Sequence, residues 1–204
     1  MTAHRSRREF LTGLGGVAMA GLAGCAGSGI PGTDRSVDRT LYVGAYHWGF
    51  VLLDETGTER EQVTIDVGST VKFVGFSLGA TEAVDALPAE VRDGLLGHEE
   101  LEARNDDRIP APSETYLHEA LEDAERRYPN HSLVIVPAGS GRMGGGMMDG
   151  GMMGRRGLFL SHDASEPTVD TMTAGRRGSY TIDCGNFCGY GHRYMNKPAA
   201  ITVR

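Results

Sequence analysis

The sequence predicts an all-β protein, a Greek-key sandwich of two sheets that carries one helical insertion. Short runs of β-branched and aromatic residues recur along the chain, bounded by glycine, proline and other turn residues. No strand–helix–strand pattern connects these runs, which disfavours a parallel α/β sheet and favours a sandwich. Residues 80–129 instead carry apolar residues at helical spacing. This insertion divides the predicted strands into an earlier and a later group.

Residues 1–24 predict a signal for export that is not part of the fold. Arg7 and Arg8 precede an apolar, glycine- and alanine-rich run from Phe10 to Gly24, as is typical of twin-arginine export. That run is shorter than the ~20 residues that span a bilayer. It ends in Leu-Ala-Gly directly before Cys25, which is typical of a lipoprotein signal. We expect cleavage before Cys25 and lipidation of its sulfur; a plain secretory signal is the alternative.

Residues 25–39, rich in glycine, serine and aspartate, predict a flexible tether. No later segment is apolar enough to cross a membrane. A lipid on Cys25 would therefore hold the domain at residues 40–204 on the outer face of the cytoplasmic membrane. The chain has three cysteines, and this assignment leaves Cys184 and Cys188 for the domain itself.

The earlier group consists of three predicted strands, with a turn at residues 68–69 between the last two. An aromatic cluster at residues 47–50 follows the first strand, and its rings either pack in the fold or serve a functional site. The three strands are Thr40–Tyr46, Gln62–Val67 and Thr70–Phe76.

The insertion at residues 80–129 is predicted to contain two helical runs. The first extends from Ala80 to Leu96. The second follows Ser113, which we expect to be its N-cap, and ends before Pro129. Docking of a partner and shielding of a site are both compatible roles for such an insertion.

The later group contains the remaining predicted strands and a segment of low complexity at residues 139–157. That segment is rich in glycine and cannot build a core. Its methionines either form a copper-capture loop, since thioethers select Cu(I), or belong to a mobile hairpin tip. They are Met143, Met147, Met148, Met152 and Met153. The strands are predicted at 133–136, 157–160, 168–172, 179–183 and 198–204.

The stretch from Cys184 to Met195 carries the strongest chemical signal in the chain. It holds two thiols, an imidazole and a thioether, spaced C-x3-C-x3-H-x2-M. Soft donors of this kind suit copper better than calcium or magnesium. Three glycines within the stretch allow a short loop to bend tightly and aim several side chains inward. A copper-binding loop is the favoured interpretation.

Other interpretations of the same residues are open. The two cysteines could form a disulfide in an exported protein, or join His192 in a zinc site. A mononuclear blue-copper site would need only Cys188, His192 and Met195, with Cys184 spare.

The spacing resembles the motif of the dinuclear CuA site in subunit II of haem-copper oxidases and in the C-terminal domain of nitrous-oxide reductase. It is most similar to the bacterial ba-type subunits, whose loop ends in C-G-x-G-H-x-x-M. The resemblance implies a cupredoxin fold and two copper ions bridged by the two cysteines. It also implies a histidine on one copper, a methionine on the other, and a backbone carbonyl ligand. In this sequence these ligands are Cys184, Cys188, His192, Met195 and the carbonyl of Asn186.

The resemblance further implies a histidine ligand upstream of the loop. His131, followed by a small residue, an apolar residue and a β run, is similar to the stretch that supplies it. His162 is the rival, but it lies closer to the cysteines in sequence than the family pattern has it. Trp48 resembles the aromatic residues of subunit II that assist electron entry. Unlike most subunit II proteins, the chain has no predicted transmembrane helix.

The resemblance implies an electron carrier that takes electrons from a cytochrome c or a small blue-copper protein. Its acceptor would be a haem, as in the core subunit of a haem-copper oxidase. The net charge of −7 argues against nucleic acid as a partner. No acid–base pair is apparent, so we expect no catalysis by the chain alone. The alternatives are a copper-delivery protein, a mononuclear carrier and a docking module with a degenerate site.

Overall fold

The computed structural model describes residues 36–113, 115–139 and 157–204. The predicted export signal, Cys25 and most of the tether lie outside the described residues. So do the five methionines of the glycine-rich segment, Met143, Met147, Met148, Met152 and Met153.

In the described part of the chain, nine strands form two sheets that pack face to face. One sheet has the order β2-β1-β4-β7 and the other the order β3-β9-β8-β5-β6. The predicted two-sheet Greek-key sandwich with a helical insertion is confirmed. The strands are β1 (Arg39–Tyr46), β2 (Gly49–Leu53), β3 (Val63–Ile65), β4 (Thr70–Ser77), β5 (His131–Pro137), β6 (Leu158–Leu160), β7 (Thr168–Thr173), β8 (Gly178–Cys184) and β9 (Asn196–Val203).

The core lies between the two sheets and is filled by large apolar side chains from both. Phe73 from the first sheet and Ile135, Tyr180 and Ile182 from the second are buried. In β3 and β6 the buried and exposed residues alternate, because successive side chains of a strand point to opposite faces. Burial of this apolar surface is the main favourable contribution to folding.

Two details of the earlier strands differ from the sequence expectation. The strands on either side of residues 68–69 do not form a pair: β3 pairs with β9, whereas β4 lies in the other sheet between β1 and β7. In addition, Gly49–Leu53 is a strand, β2, where only an aromatic cluster had been recognised. All five of its residues are buried, so the alternation that marks a half-exposed strand is missing.

The described residues of the insertion, 80–113 and 115–129, contain four helices: α1 (Thr81–Asp85), α2 (Ala89–Asp93), α3 (His98–Asp106) and α4 (Leu117–Arg127). The run expected from Ala80 to Leu96 is broken at Pro88, which has no N–H to continue a helix. The expected N-cap at Ser113 is wrong. Helix α4 begins at Leu117, the first residue of its apolar face, and Tyr116 is its N-cap. Within the described part of the chain, no helix is long and apolar enough to cross a membrane.

The insertion packs tightly on the loop that follows β2. A Cβ atom at Gly94 would lie 1.8 Å from the carbonyl oxygen of Gly57, and one at Gly57 would lie 1.8 Å from that of Glu90. Gly57 also has a φ of +74°, which disfavours any residue with a side chain. These two glycines therefore allow the backbone after α2 to approach the sandwich directly.

We expect Gly94→Ala to lower the free energy of unfolding by about 1–3 kcal/mol, because the added methyl group meets rigid backbone. Denaturant unfolding of the purified chain measures this. Gly175→Ala is the matched control, since Gly175 is exposed and its Cβ would meet nothing closer than the carbonyl oxygen of Thr173 at 4.0 Å. The control should change stability by no more than about 0.5 kcal/mol. Equal effects of the two substitutions would contradict the contact.

Candidate metal centre

The register between β5 and β8 places a histidine against the first cysteine. Leu133 lies opposite Cys184 in this antiparallel pair, so their side chains share one face of the sheet. His131 lies two residues before Leu133 and therefore points to the same face. One ligand atom each of His131, Cys184 and Cys188 lies within 4.8 Å of the others, and all three residues are buried.

The loop after β8 brings the remaining predicted residues to the same place. The Sγ atom of Cys188 lies 3.3 Å from Nδ1 of His192 and 3.6 Å from Sδ of Met195. The Sγ atom of Cys184 lies 3.2 Å from the carbonyl oxygen of Asn186. No disulfide joins the two cysteines. The structure thus gathers all six residues that the sequence predicted as ligands.

Two glycines let the loop fold back on the protein. Gly189 has a φ of +93°, and a Cβ there would lie 2.4 Å from the Cβ of Ala124 on α4. A Cβ at Gly191 would lie 2.4 Å from Cγ of Trp48. Gly191 lies within a short 3-10 helix, Tyr190–Tyr194, which also carries His192. The loop is therefore held between the insertion and the indole of Trp48.

Trp48 forms the buried wall beneath the loop. Its side chain is fully buried, and its Nε1 donates a hydrogen bond of 2.9 Å to the carbonyl oxygen of Cys188. Trp48 therefore contacts the loop of the candidate centre from inside the protein, and its predicted role in electron entry stays a prediction. The exposed aromatic residues of the loop are Phe187 and Tyr190.

The surroundings of Cys184 favour its thiolate, the form that binds metals. The pKa of Cys184 is well below the usual thiol value, chiefly through its hydrogen bond with Cys188, with a further contribution from the neighbouring His131. Burial alone would raise that pKa, so the hydrogen bonds outweigh the loss of solvation. Nδ1 of His131 is buried and has no hydrogen-bond partner among the residues that the structure describes. Such an atom is costly to bury unless a ligand satisfies it.

The donor set fits a soft or borderline transition metal. Two thiols, a thioether and two imidazoles converge in a buried site, and such donors suit copper or zinc rather than calcium or magnesium. A hydrogen bond of 2.9 Å from the amide of Gly185 to Oγ of Ser132 fixes the start of the loop on β5. The ligand atoms are therefore positioned by sheet and loop together.

His162 does not belong to this group of ligand atoms. Its ring centroid lies 5.9 Å from that of His131, but it gathers instead with His47 and Glu125. Burial lowers the pKa of His162. No sequence pattern distinguishes Glu125, because it lies on α4 and only the packing of the insertion brings it to the sandwich.

No protein-family model matches the chain, and no curated protein matches it. Among solved structures it is similar to the periplasmic domain of subunit II of cytochrome oxidase (CoxB) of Bradyrhizobium japonicum, at 8% identity and a TM-score of 0.40, over 82% of this chain and 85% of that one. A chain of a haem-copper terminal oxidase dimer matches at 14% identity and a TM-score of 0.38, over 84% of this chain and 68% of that one. Auracyanin A, a blue copper protein of Chloroflexus aurantiacus, matches at 14% identity and a TM-score of 0.36, over 81% of this chain and 98% of that one. These similarities are distant, and they concern the fold.

We expect Trp48→Phe to lower the free energy of unfolding of the metal-free chain by at least about 2 kcal/mol. The substitution leaves the buried carbonyl of Cys188 without its donor and leaves space where the indole had been. Tyr190→Phe is the control, because it removes a hydrogen bond to the carbonyl of Pro110 at an exposed site. It should cost less than about 1 kcal/mol. If Trp48→Phe lowered the free energy of unfolding by less than about 1 kcal/mol, the indole would not support the loop.

Proposed function

We propose that this chain is an exported copper electron-transfer protein with a dinuclear CuA centre, resembling subunit II of cytochrome c oxidase. The observation that carries the proposal is the pair of buried cysteines, both placed beside His131 in one group of ligand atoms. The residues that would hold two copper ions are His131, Cys184, Cys188, His192, Met195 and, through its carbonyl, Asn186.

The number of donors favours two metal ions over one. A zinc site of the structural kind is complete with four ligands, and a blue-copper site needs one cysteine, two histidines and a weak axial ligand. Here Cys188 has His192 and Met195 beside it, while Cys184 has the Asn186 carbonyl. Each cysteine thus has donor atoms of its own nearby, and both cysteines also lie close to His131. One metal ion would leave part of this set unused.

The scaffold suits electron transfer because strand pairing and packing hold the donors in place. When bound, copper would supply a one-electron redox couple whose geometry is set by the protein. His131 is held by the pairing of β5, Cys184 by that of β8, and the loop by Trp48 and α4. Side chains fixed in this way move little when the charge of the centre changes, and a small rearrangement favours fast transfer.

The exposed end of the loop is the proposed site of electron entry. Phe187 is 64% exposed, and its ring centroid lies 5.6 Å from that of His192. Tyr190 also reaches the surface from the same loop. Exposed aromatic residues beside a partly buried histidine would give a redox partner a short path to the metal ligands.

The partners and location follow from the sequence and the resemblance. We propose a cytochrome c or a small blue-copper protein as the donor and the core subunit of a haem-copper oxidase as the acceptor. A lipid on Cys25 would anchor the chain to the outer face of the cytoplasmic membrane. The methionine-rich segment would serve as an accessory copper site.

Electron paramagnetic resonance of the copper-loaded full-length chain, with copper quantified, tests the proposal. We expect two coppers per chain and a hyperfine pattern from one electron shared between two copper nuclei. A spectrum of a single copper would support a blue-copper carrier instead. A silent Cu(I) form that resists oxidation, combined with ready release of copper, would support a delivery protein.

Substitutions at the centre should change the same spectrum in distinct ways. Cys184→Ser should leave a mononuclear copper or none, whereas Met195→Leu should keep two coppers with an altered spectrum and potential. His131→Ala should abolish the dinuclear signal, and His162→Ala should retain it. An intact spectrum in His131→Ala, together with its loss in His162→Ala, would reverse the ligand assignment.

We expect Phe187→Ala to slow electron uptake from a cytochrome c or a small blue-copper protein, with roughly a fivefold or greater loss in the second-order rate. Stopped-flow reduction of the copper-loaded chain measures this rate. Val169→Ala is the control, because Val169 is also an exposed apolar residue, at 51%, but lies on β7, outside the loop. Equal rates for the two variants would contradict an entry site at Phe187.

A further inference from the structure

A second group of metal-ligand side chains lies beside the cysteine centre and shares no residue with it. Ligand atoms of His47, Glu125 and His162 all lie within 4.8 Å of one another. They come from three separate places: the turn between β1 and β2, helix α4, and the segment after β6. His47 is buried, and the other two are partly buried.

The two imidazoles converge on one oxygen of the carboxylate. Nε2 of His47 lies 2.5 Å and Nδ1 of His162 lies 3.4 Å from Oε1 of Glu125. A tetrahedral metal with bonds of ~2.0–2.1 Å holds its donors roughly 3.3 Å apart. The second distance already has this value. The first needs to lengthen by roughly 1 Å, which a side-chain rotation of the partly exposed Glu125 can supply.

A further carboxylate orients the first histidine. Nδ1 of His47 faces Oε1 of Glu102 on α3 at 3.7 Å, while its Nε2 faces Glu125. Histidines that bind metals usually have a carboxylate or carbonyl on the other ring nitrogen, which fixes the ring and raises its basicity. Nε2 of His47 thus faces Glu125, which would bind the metal, and Nδ1 faces Glu102, which would not.

The fold also leaves room for the second histidine. A Cβ atom at Gly79 would lie 2.7 Å from both Nδ1 and Cε1 of His162. The imidazole therefore lies directly over the backbone of a glycine, with its Nδ1 facing Glu125. Any larger residue at position 79 would displace the nitrogen that faces the carboxylate.

We propose that His47, Glu125 and His162 bind one divalent transition-metal ion, for which Zn2+ is the best match. Two histidines and a glutamate are a ligand set of zinc sites in which water occupies the fourth position. The set contains no sulfur, so it does not compete with the cysteine centre for Cu(I). The partial exposure of Glu125 gives an ion access from solvent.

This site gives the helical insertion a specific role. Helix α4 supplies Glu125 and α3 supplies Glu102, so both carboxylates that face His47 belong to the insertion. The two groups of side chains are also adjacent, because aromatic rings of one contact those of the other. His162 lies 5.9 Å from His131, and His47 lies 5.1 Å from Trp48, measured between ring centroids. The second site does not depend on copper at the cysteines.

Helix α4 contains a matched control for the experiment. His118 and Glu122 form an exposed pair one turn apart, with 2.9 Å between Nε2 and Oε1. This pair has the same residue types as the proposed site but lies at the surface. A surface pair of this kind is the simplest competing location for an added zinc ion.

Isothermal titration of Zn2+ into the copper-loaded full-length chain tests the proposal. We expect one equivalent to bind, with affinity reduced at least tenfold by Glu125→Gln and unchanged by Glu122→Gln. Gly79→Ala keeps all three ligands and should also weaken binding, because it displaces His162. Circular dichroism of each variant shows that it is folded. X-ray absorption at the zinc edge should show nitrogen and oxygen neighbours and no sulfur.

Three results would overturn the second site. They are the absence of a zinc equivalent in the wild-type chain, binding that survives Glu125→Gln, and binding that is lost with Glu122→Gln. Zinc held by the cysteines would be lost in Cys184→Ser, would show sulfur neighbours and would be kept in Glu125→Gln. The two proposals can therefore fail independently of each other.

Discussion

The register between β5 and β8 is the constraint on which the candidate centre depends. Leu133 lies opposite Cys184, and this pairing brings His131 to the same face of the sheet as the first cysteine. A slip of one residue would turn His131 to the other face and separate it from both thiols. The core holds this register, because Leu133, Ile135 and Ile182 are all buried and would be exposed by such a slip.

The helical insertion is part of the support for the loop as well as an addition to the sandwich. Ala124 on α4 packs against Gly189, and Tyr128, directly after α4, meets the ring of Phe187 edge-on at 5.2 Å. From the opposite side, Trp48 contacts Gly191 and binds the carbonyl of Cys188. The cysteine loop therefore lies between an inserted helix and a core tryptophan. A change in either one alters the positions of the ligands.

The sequence was sufficient for the sandwich and the location of the insertion, which depend on alternation in strands and on helical spacing. Soft donors within one short stretch marked the loop, whereas His131 was selected through the resemblance, since no local pattern connects it with the cysteines. Strand β2 was missed because full burial removes alternation. The start of α4 was misplaced because Ser113 has the side chain of an N-cap, but the apolar face begins only at Leu117. The pairing of β3 and β4 with different sheets depends on distant strands, which no local pattern records.

Glu125 shows most clearly where sequence reasoning ends. On its own helix it is one acidic residue among several, and only tertiary packing places it between two histidines from other elements. Metal ions at both centres would then be electrostatically linked, since His131 and His162 are adjacent. A dication at the second site disfavours additional positive charge on the copper centre, so it would raise the reduction potential. By linkage, reduction of the copper centre would in turn tighten binding of the second ion. In this arrangement the insertion would both support the cysteine loop and, through Glu125, influence the potential of the proposed copper centre.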